Sequence, residues 1–167
     1  MLPLVLNPVG LKAGLAGRGQ ARERRAALLA EAGVDARLLP ETVSDDDLGS
    51  LQVLFVAGLD EGEARELAAR ARRLKVLVNV EDVLPLCDFH VPAIVRQGDL
   101  LLTASTGGTA PGLARALREH LAESFGPEWR DRLADLAKER ARFRSQGLSP
   151  AEVSRRVRDL VTEKGWL

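Results

Sequence analysis

The chain has 167 residues, 46% of them hydrophobic and 29% charged, an ordinary composition for a globular protein with a real core. Its 24 Lys and Arg balance 24 Asp and Glu, so no global field draws it to nucleic acid. The single cysteine, Cys87, excludes an intramolecular disulfide, fits a reducing compartment and reads as a small buried apolar residue.

The opening MLPLVLNPVGLKAGLAG is apolar but interrupted by Pro3, Asn7, Pro8 and three glycines. With no basic leader and no unbroken apolar run, it supports neither a signal peptide nor a membrane span, and a cytoplasmic protein is expected. Leu11 to Ala16 reads as a strand, followed by Gly17-Arg18-Gly19. A helix runs from Gln20 to Ala32 with Ala21, Leu28, Leu29 and Ala32 on one stripe, and Gly33 stops it. Ala36 to Leu39 forms a second strand, ended by Pro40. After the acidic Asp45-Asp46-Asp47 run, Val53 to Ala57 is a strand of the buried type. A helix over 60–74 and a strand from Val76 to Val80 follow, and this alternation predicts a parallel sheet covered by helices.

The pattern changes after Asp82. Phe89 to Val95 and Leu100 to Ala104 flank Arg96-Gln97-Gly98-Asp99, which reads as a β-hairpin with Gly98 in the turn. Beyond Pro111 the spacing is helical over 111–124, 127–146 and 150–164, with Gly147 and Pro150 between the last two and Ser149 as an N-cap. No repeat or low-complexity linker is present.

Four stretches invite chemistry. Gly17-Arg18-Gly19 lies between a strand and a helix, where glycines let a pyrophosphate approach the backbone. Arg22 takes the third glycine position of the dinucleotide pattern, however, and no acidic residue closes the strand Arg37-Leu38-Leu39-Pro40, so a plain tight turn fits as well. Asn79-Val80-Glu81-Asp82 ends a parallel strand, where open α/β sheets carry ligands. Asp82 is the acid/base candidate there, its pKa raised if partly desolvated, and a loop aspartate capping backbone amides is the other reading. Asp82, Cys87, Asp88 and His90 have no recognised ligand spacing; no metal site is expected, and His90 reads as a strand histidine. In TASTGGTAPGLARALRE (residues 103–119), hydroxyls and glycine amides precede a helix that starts at Pro111. They make either an anion cradle or a capped turn with Thr109 as N-cap. The tail from Trp129 to Lys164 carries ten basic and six acidic residues, which read as a solvated helix surface.

Together these residues resemble the precorrin-2 dehydrogenase/sirohydrochlorin ferrochelatase module of siroheme synthases. The similarity starts at Leu2-Pro3-Leu4, runs through Ala16 to Gly33 and resumes from Ala57 to Glu119. VNVED (78–82), FHVPAIV (89–95) and STGGTAPGLARALRE (105–119) carry it most specifically, in the family's order and spacing. The resemblance implies an α/β fold: a shortened Rossmann-like parallel sheet with a β-hairpin over residues 1–110, then a helical dimerisation region over 111–167. It implies NAD as cofactor, with Gly17, Arg18, Gly19, Gln20, Ala21, Ala57 and Asn79 on the cofactor side. It implies Asp82 as the catalytic acid/base, and Ser105, Thr106, Gly107, Gly108, Thr109 and His90 facing a tetrapyrrole. The implied reaction is NAD-dependent dehydrogenation of precorrin-2 to sirohydrochlorin, then insertion of ferrous iron, itself a substrate, to give siroheme. A homodimer without nucleic-acid or membrane partners is expected, as the stand-alone form lacking a methyltransferase domain.

The chain departs from the family on one side only. The segment between Pro40 and Val53 is shorter than the family's, Ala57-Gly58-Leu59-Asp60 replaces Ala-Thr-Asp-Asp, Ala64 stands for an asparagine, and Arg18 for a glycine. These changes fall on the cofactor half, while Asp82 and the glycine-hydroxyl loop match. They motivate an alternative, a tetrapyrrole-binding or chelatase-only protein that has lost the NAD-dependent step. A nucleotide-sensing module with a structural Asp82 is a third reading.

Overall fold

The computed structural model describes residues 2–167. Two compact units emerge, one ending at Val91 and the other running from Pro92 to Leu167, so the hairpin groups with the C-terminal helices.

In the first unit β1 (Ala13–Gly17), β2 (Ala36–Leu38), β3 (Val53–Ala57) and β4 (Leu77–Val80) form a parallel sheet in the order β2-β1-β3-β4. Its central strand β3 is buried along its whole length, as its continuous apolar run predicts. One face packs Leu15, Val53 and Phe55 against Leu29 of α1 (Gly19–Glu31). Leu29 alone of the predicted stripe is fully buried; Leu28 stays 37% exposed.

The opposite face packs Leu54, Val56 and Val78 against two further helices, α2 (Asp45–Gly49) and α3 (Glu61–Arg73). On α3, Ala64, Leu67, Ala68 and Ala71 recur every three to four residues and are all buried. The acidic run is the first turn of α2, capped by Ser44 and Asp47 bonding reciprocally to each other's backbone N–H. This five-residue helix places Leu48 wholly out of solvent and completes the crossover from β2 to β3.

In the second unit β5 (Ala93–Gln97) and β6 (Leu100–Ala104) are antiparallel with Gln97 opposite Leu100, leaving the two-residue turn Gly98-Asp99. Gly98 takes φ +60 there. The strand predicted from Phe89 begins only at Ala93, because Phe89 and Val91 pack against the α1-side core instead; Phe89 meets the Phe55 ring edge-on at 5.4 Å. Three helices follow, α4 (Pro111–Ser124), α5 (Trp129–Ser145) and α6 (Pro150–Glu163). Trp129, Phe143 and Val153 are their buried anchors. The Arg132 guanidinium lies 5.1 Å from the Trp129 ring centre and 5.3 Å from that of Trp166, closing the tail with a cation–π bridge. No helix among the described residues is long and apolar enough to cross a membrane.

Candidate functional site

The turn after β1 is built by close backbone approach. Gly17, at φ +130, lies against Ala57 of β3; a Cβ on it would sit 1.7 Å from the Ala57 carbonyl oxygen. That oxygen accepts the Arg18 N–H at 3.2 Å, and Ala57 itself is 1% exposed. Gly58 seals the other side, since a Cβ there would come within 2.2 Å of the Arg18 carbonyl. Gly19, at φ +64, has nothing within 4 Å of where its Cβ would be. The turn is therefore closed towards the sheet and open above Gly19.

α1 begins at this opening with no side-chain cap and no acidic residue in its first turn. By contrast, α2, α3 and α6 each start with a capping box and acidic residues. The first-turn N–H groups of α1, near Gln20 and Ala21, are thus left to an anion, with the helix dipole favouring it. The residues present fit a dinucleotide: the space over Gly19 admits a pyrophosphate that any side chain there would displace.

A crevice of about 230 Å³ adjoins the turn, lined by Gly17, Arg18, Glu41, Thr42, Glu63 and Arg70 among others. Arg18 meets Glu63 of α3 in a two-pronged pair at 3.0 and 2.6 Å, with 52% of its side chain exposed. The Glu63 hydrogen bond, then its charge, holds the guanidinium proton more tightly than usual. Arg70 is committed to Asp45 at 2.7 Å and to the Val43 carbonyl at 2.8 Å. Glu41 makes no hydrogen bond or ion pair among the described residues; it lies three positions past β2 and lines the crevice. Arg22, in the third glycine position, reaches the other way and donates to the Leu39 carbonyl at 3.0 Å, fixing the end of the second strand.

The loop after β4 is stapled by Cys87, which is half-buried. Its thiol donates to the Val80 carbonyl at 3.1 Å and accepts the Val80 N–H at 3.3 Å. Asp82 sits on this loop at φ +61, an unusual conformation for a non-glycine residue. Its side chain is exposed and makes no hydrogen bond or ion pair among the described residues. The expected partial desolvation is therefore absent within this unit; equally, Asp82 caps no backbone amide. Asn79 is 6% exposed and donates to the Phe89 carbonyl at 2.9 Å, while its Oδ1 is buried without a protein partner. Asn79 thus ties down the chain leaving the loop. Asp88 is likewise spent, on Arg72 and the Val78 N–H, each at 2.9 Å. His90 is half-buried and precedes β5 rather than lying on it.

In the second unit the loop after β6 turns at Gly107 and Gly108, φ +64 and +82. Its hydroxyls and backbone amides bond to one another. Ser105 Oγ accepts the Gly107 N–H at 3.3 Å, Thr106 Oγ1 the Ala110 N–H at 3.2 Å, and Thr109 donates to the Thr106 carbonyl at 2.6 Å. Thr109 is consequently not the N-cap of α4. That position is Ala110, whose side chain cannot cap, and α4 too has no acid in its first turn. Ser105 and Thr106 act only as acceptors, so the loop offers an anion their two O–H groups, the Gly108 N–H and an open helix start, whereas the Gly107, Thr109 and Ala110 N–H groups are already donated.

The chain is 34% identical to the siroheme synthase of Pseudomonas fluorescens (strain SBW25) over 93% of its length, and 36% identical to that of Azotobacter vinelandii (strain DJ / ATCC BAA-1303) over 87%. It spans only 38% and 35% of those relatives. Its fold matches the solved structure of SirC, precorrin-2 dehydrogenase, with a TM-score of 0.72 at 19% identity, covering 96% of this chain and 89% of that one. Residues 4–93, which hold the glycine turn, the crevice and Asp82, match the family model described as "Putative NAD(P)-binding". The chain belongs to this NAD(P)-binding family.

Proposed function

We propose that the protein dehydrogenates precorrin-2 to sirohydrochlorin with NAD as oxidant, and that it can also insert ferrous iron to give siroheme. The observation that carries this reading is the open, acid-free start of α1 above Gly19, in the segment that matches the NAD(P)-binding family. NAD, when bound, supplies the hydride acceptor. The chain contributes the closed Gly17–Ala57 turn that fixes the pyrophosphate's seat, and the Asp82 carboxylate that takes the proton lost with the hydride. An exposed, unpaired carboxylate on a stapled loop is free to do so, and the same group would receive protons displaced by ferrous iron. The Ser105–Thr109 loop would meet the tetrapyrrole's carboxylates, chiefly through the Ser105 and Thr106 O–H groups, the Gly108 N–H and the start of α4.

A cytoplasmic homodimer built on residues 111–167 completes the proposal. Its support is that α4 buries no residue and leaves Leu113 and Leu117, one turn apart, 54% and 40% exposed.

The test is an anaerobic titration with NAD and then precorrin-2, following the sirohydrochlorin absorption. Saturable turnover that falls by about 10²–10⁴ in Asp82→Asn is expected, with an unchanged melting point, since Asn tolerates the same backbone conformation. Full activity in that variant would remove Asp82 from the chemistry. Tetrapyrrole binding with no NAD-dependent turnover would favour the chelatase-only alternative.

A further inference from the structure

Arg18 occupies the variable position between the two glycines of this turn and lines the adjoining crevice. Arg18 is the N-cap residue of α1, the helix start to which the pyrophosphate is assigned above, and its guanidinium reaches Glu63 of α3. Among the described residues it is held only by Glu63, and the pair is largely exposed, with 52% and 41% of the two side chains accessible. Such a pair contributes little to stability and is readily exchanged. Arg70, the other cation lining the crevice, is less exposed and tied to both Asp45 and the Val43 carbonyl. Glu63 does not depend on Arg18: it occupies the third position of α3 and accepts the Asp60 N–H at 3.1 Å in the capping box. A guanidinium fork matches phosphate oxygens as well as it matches a carboxylate.

We infer that Arg18 is a ligand of the cofactor's pyrophosphate, parked on Glu63 in the free protein and transferred to the phosphates on binding. Glu63 is then a built-in competitor, and the two residues act on affinity with opposite signs. The inference rests on the NAD reading and adds a side-chain ligand to a site otherwise made of backbone.

The experiment is calorimetric titration of the full chain with NAD, ADP-ribose and adenosine at low salt. Arg18→Ala should weaken NAD and ADP-ribose binding about tenfold and flatten the salt dependence. Glu63→Gln should tighten both severalfold, because glutamine keeps the capping box but releases Arg18. Adenosine, which has no phosphate, should bind all three proteins alike. Melting points of the variants separate these effects from loss of fold. If the pair is merely a latch over the crevice, both variants bind more tightly, and if it is merely a structural tie, neither tightens; either result overturns the exchange. A wild-type chain that binds neither NAD nor ADP-ribose would refute the cofactor reading itself, and this inference with it.

Discussion

Two glycines of one turn should respond oppositely to the same methyl group. In Gly17→Ala the new Cβ would lie 1.7 Å from the Ala57 oxygen and 2.7 Å from its carbonyl carbon, both backbone atoms of the central strand. Neither partner can rotate away, so β1 and β3 must part where they end in register, at Gly17 and Ala57. A φ of +130 adds strain of about 1–3 kcal/mol, and forced repacking adds about 1–3 kcal/mol more. A loss of about 2–6 kcal/mol is expected, a large share of a domain's whole stability. Gly19→Ala meets nothing within 4 Å and carries only the left-handed penalty, about 1 kcal/mol. Its methyl occupies the open space instead, so cofactor affinity should fall while the fold persists. Urea unfolding at unchanged slope, paired with NAD titration, reads both quantities. Equal stability loss in the two variants would refute the division of the turn into a closed and an open side. Undiminished NAD binding by Gly19→Ala would place the pyrophosphate elsewhere.

Glu41 should set cofactor choice: the wild type should bind NAD at least tenfold more tightly than NADP, and Glu41→Gln should narrow that ratio, read from the two dissociation constants. Replacing both Leu113 and Leu117 by serine should raise a dimer dissociation constant by a hundredfold or more, about what two leucine side chains per subunit supply, measured by sedimentation. Ser149→Ala should cost about 1 kcal/mol by uncapping α6. The Ser149 hydroxyl, then its backbone N–H, holds the Glu152 carboxyl below its usual range. That contribution is therefore present above the ordinary glutamate pKa and lost as pH falls through the lowered one, and hydrogen exchange in the first turn of α6 should quicken in acid accordingly.

What the sequence discloses follows from how far apart the interacting residues lie. Helix α4 is legible to the residue, because Pro111 starts it and its apolar spacing persists. The five-residue α2 has too few turns to show a period, and it reads as a bare acidic run until Ser44 and Asp47 are seen to cap each other. Arg18 and Glu63 are 45 positions apart, so nothing local announces their pair. The hydroxyls around Gly107-Gly108 show the opposite failure: the sequence names every donor but not which are already spent, and Thr109 turns back to Thr106 instead of capping α4. Yet one signal is both local and functional. Of the six α-helices among the described residues, only α1 and α4 begin with neither a side-chain cap nor an acid in the first turn. Two positive-φ glycines stand at each start, Gly17 and Gly19 at α1 and Gly107 and Gly108 ahead of α4. A chain that caps α2, α3 and α6 with reciprocal boxes and leaves these two starts bare has kept their amides available for something else. Both are the stretches in which the glycine patterns first suggested an anion.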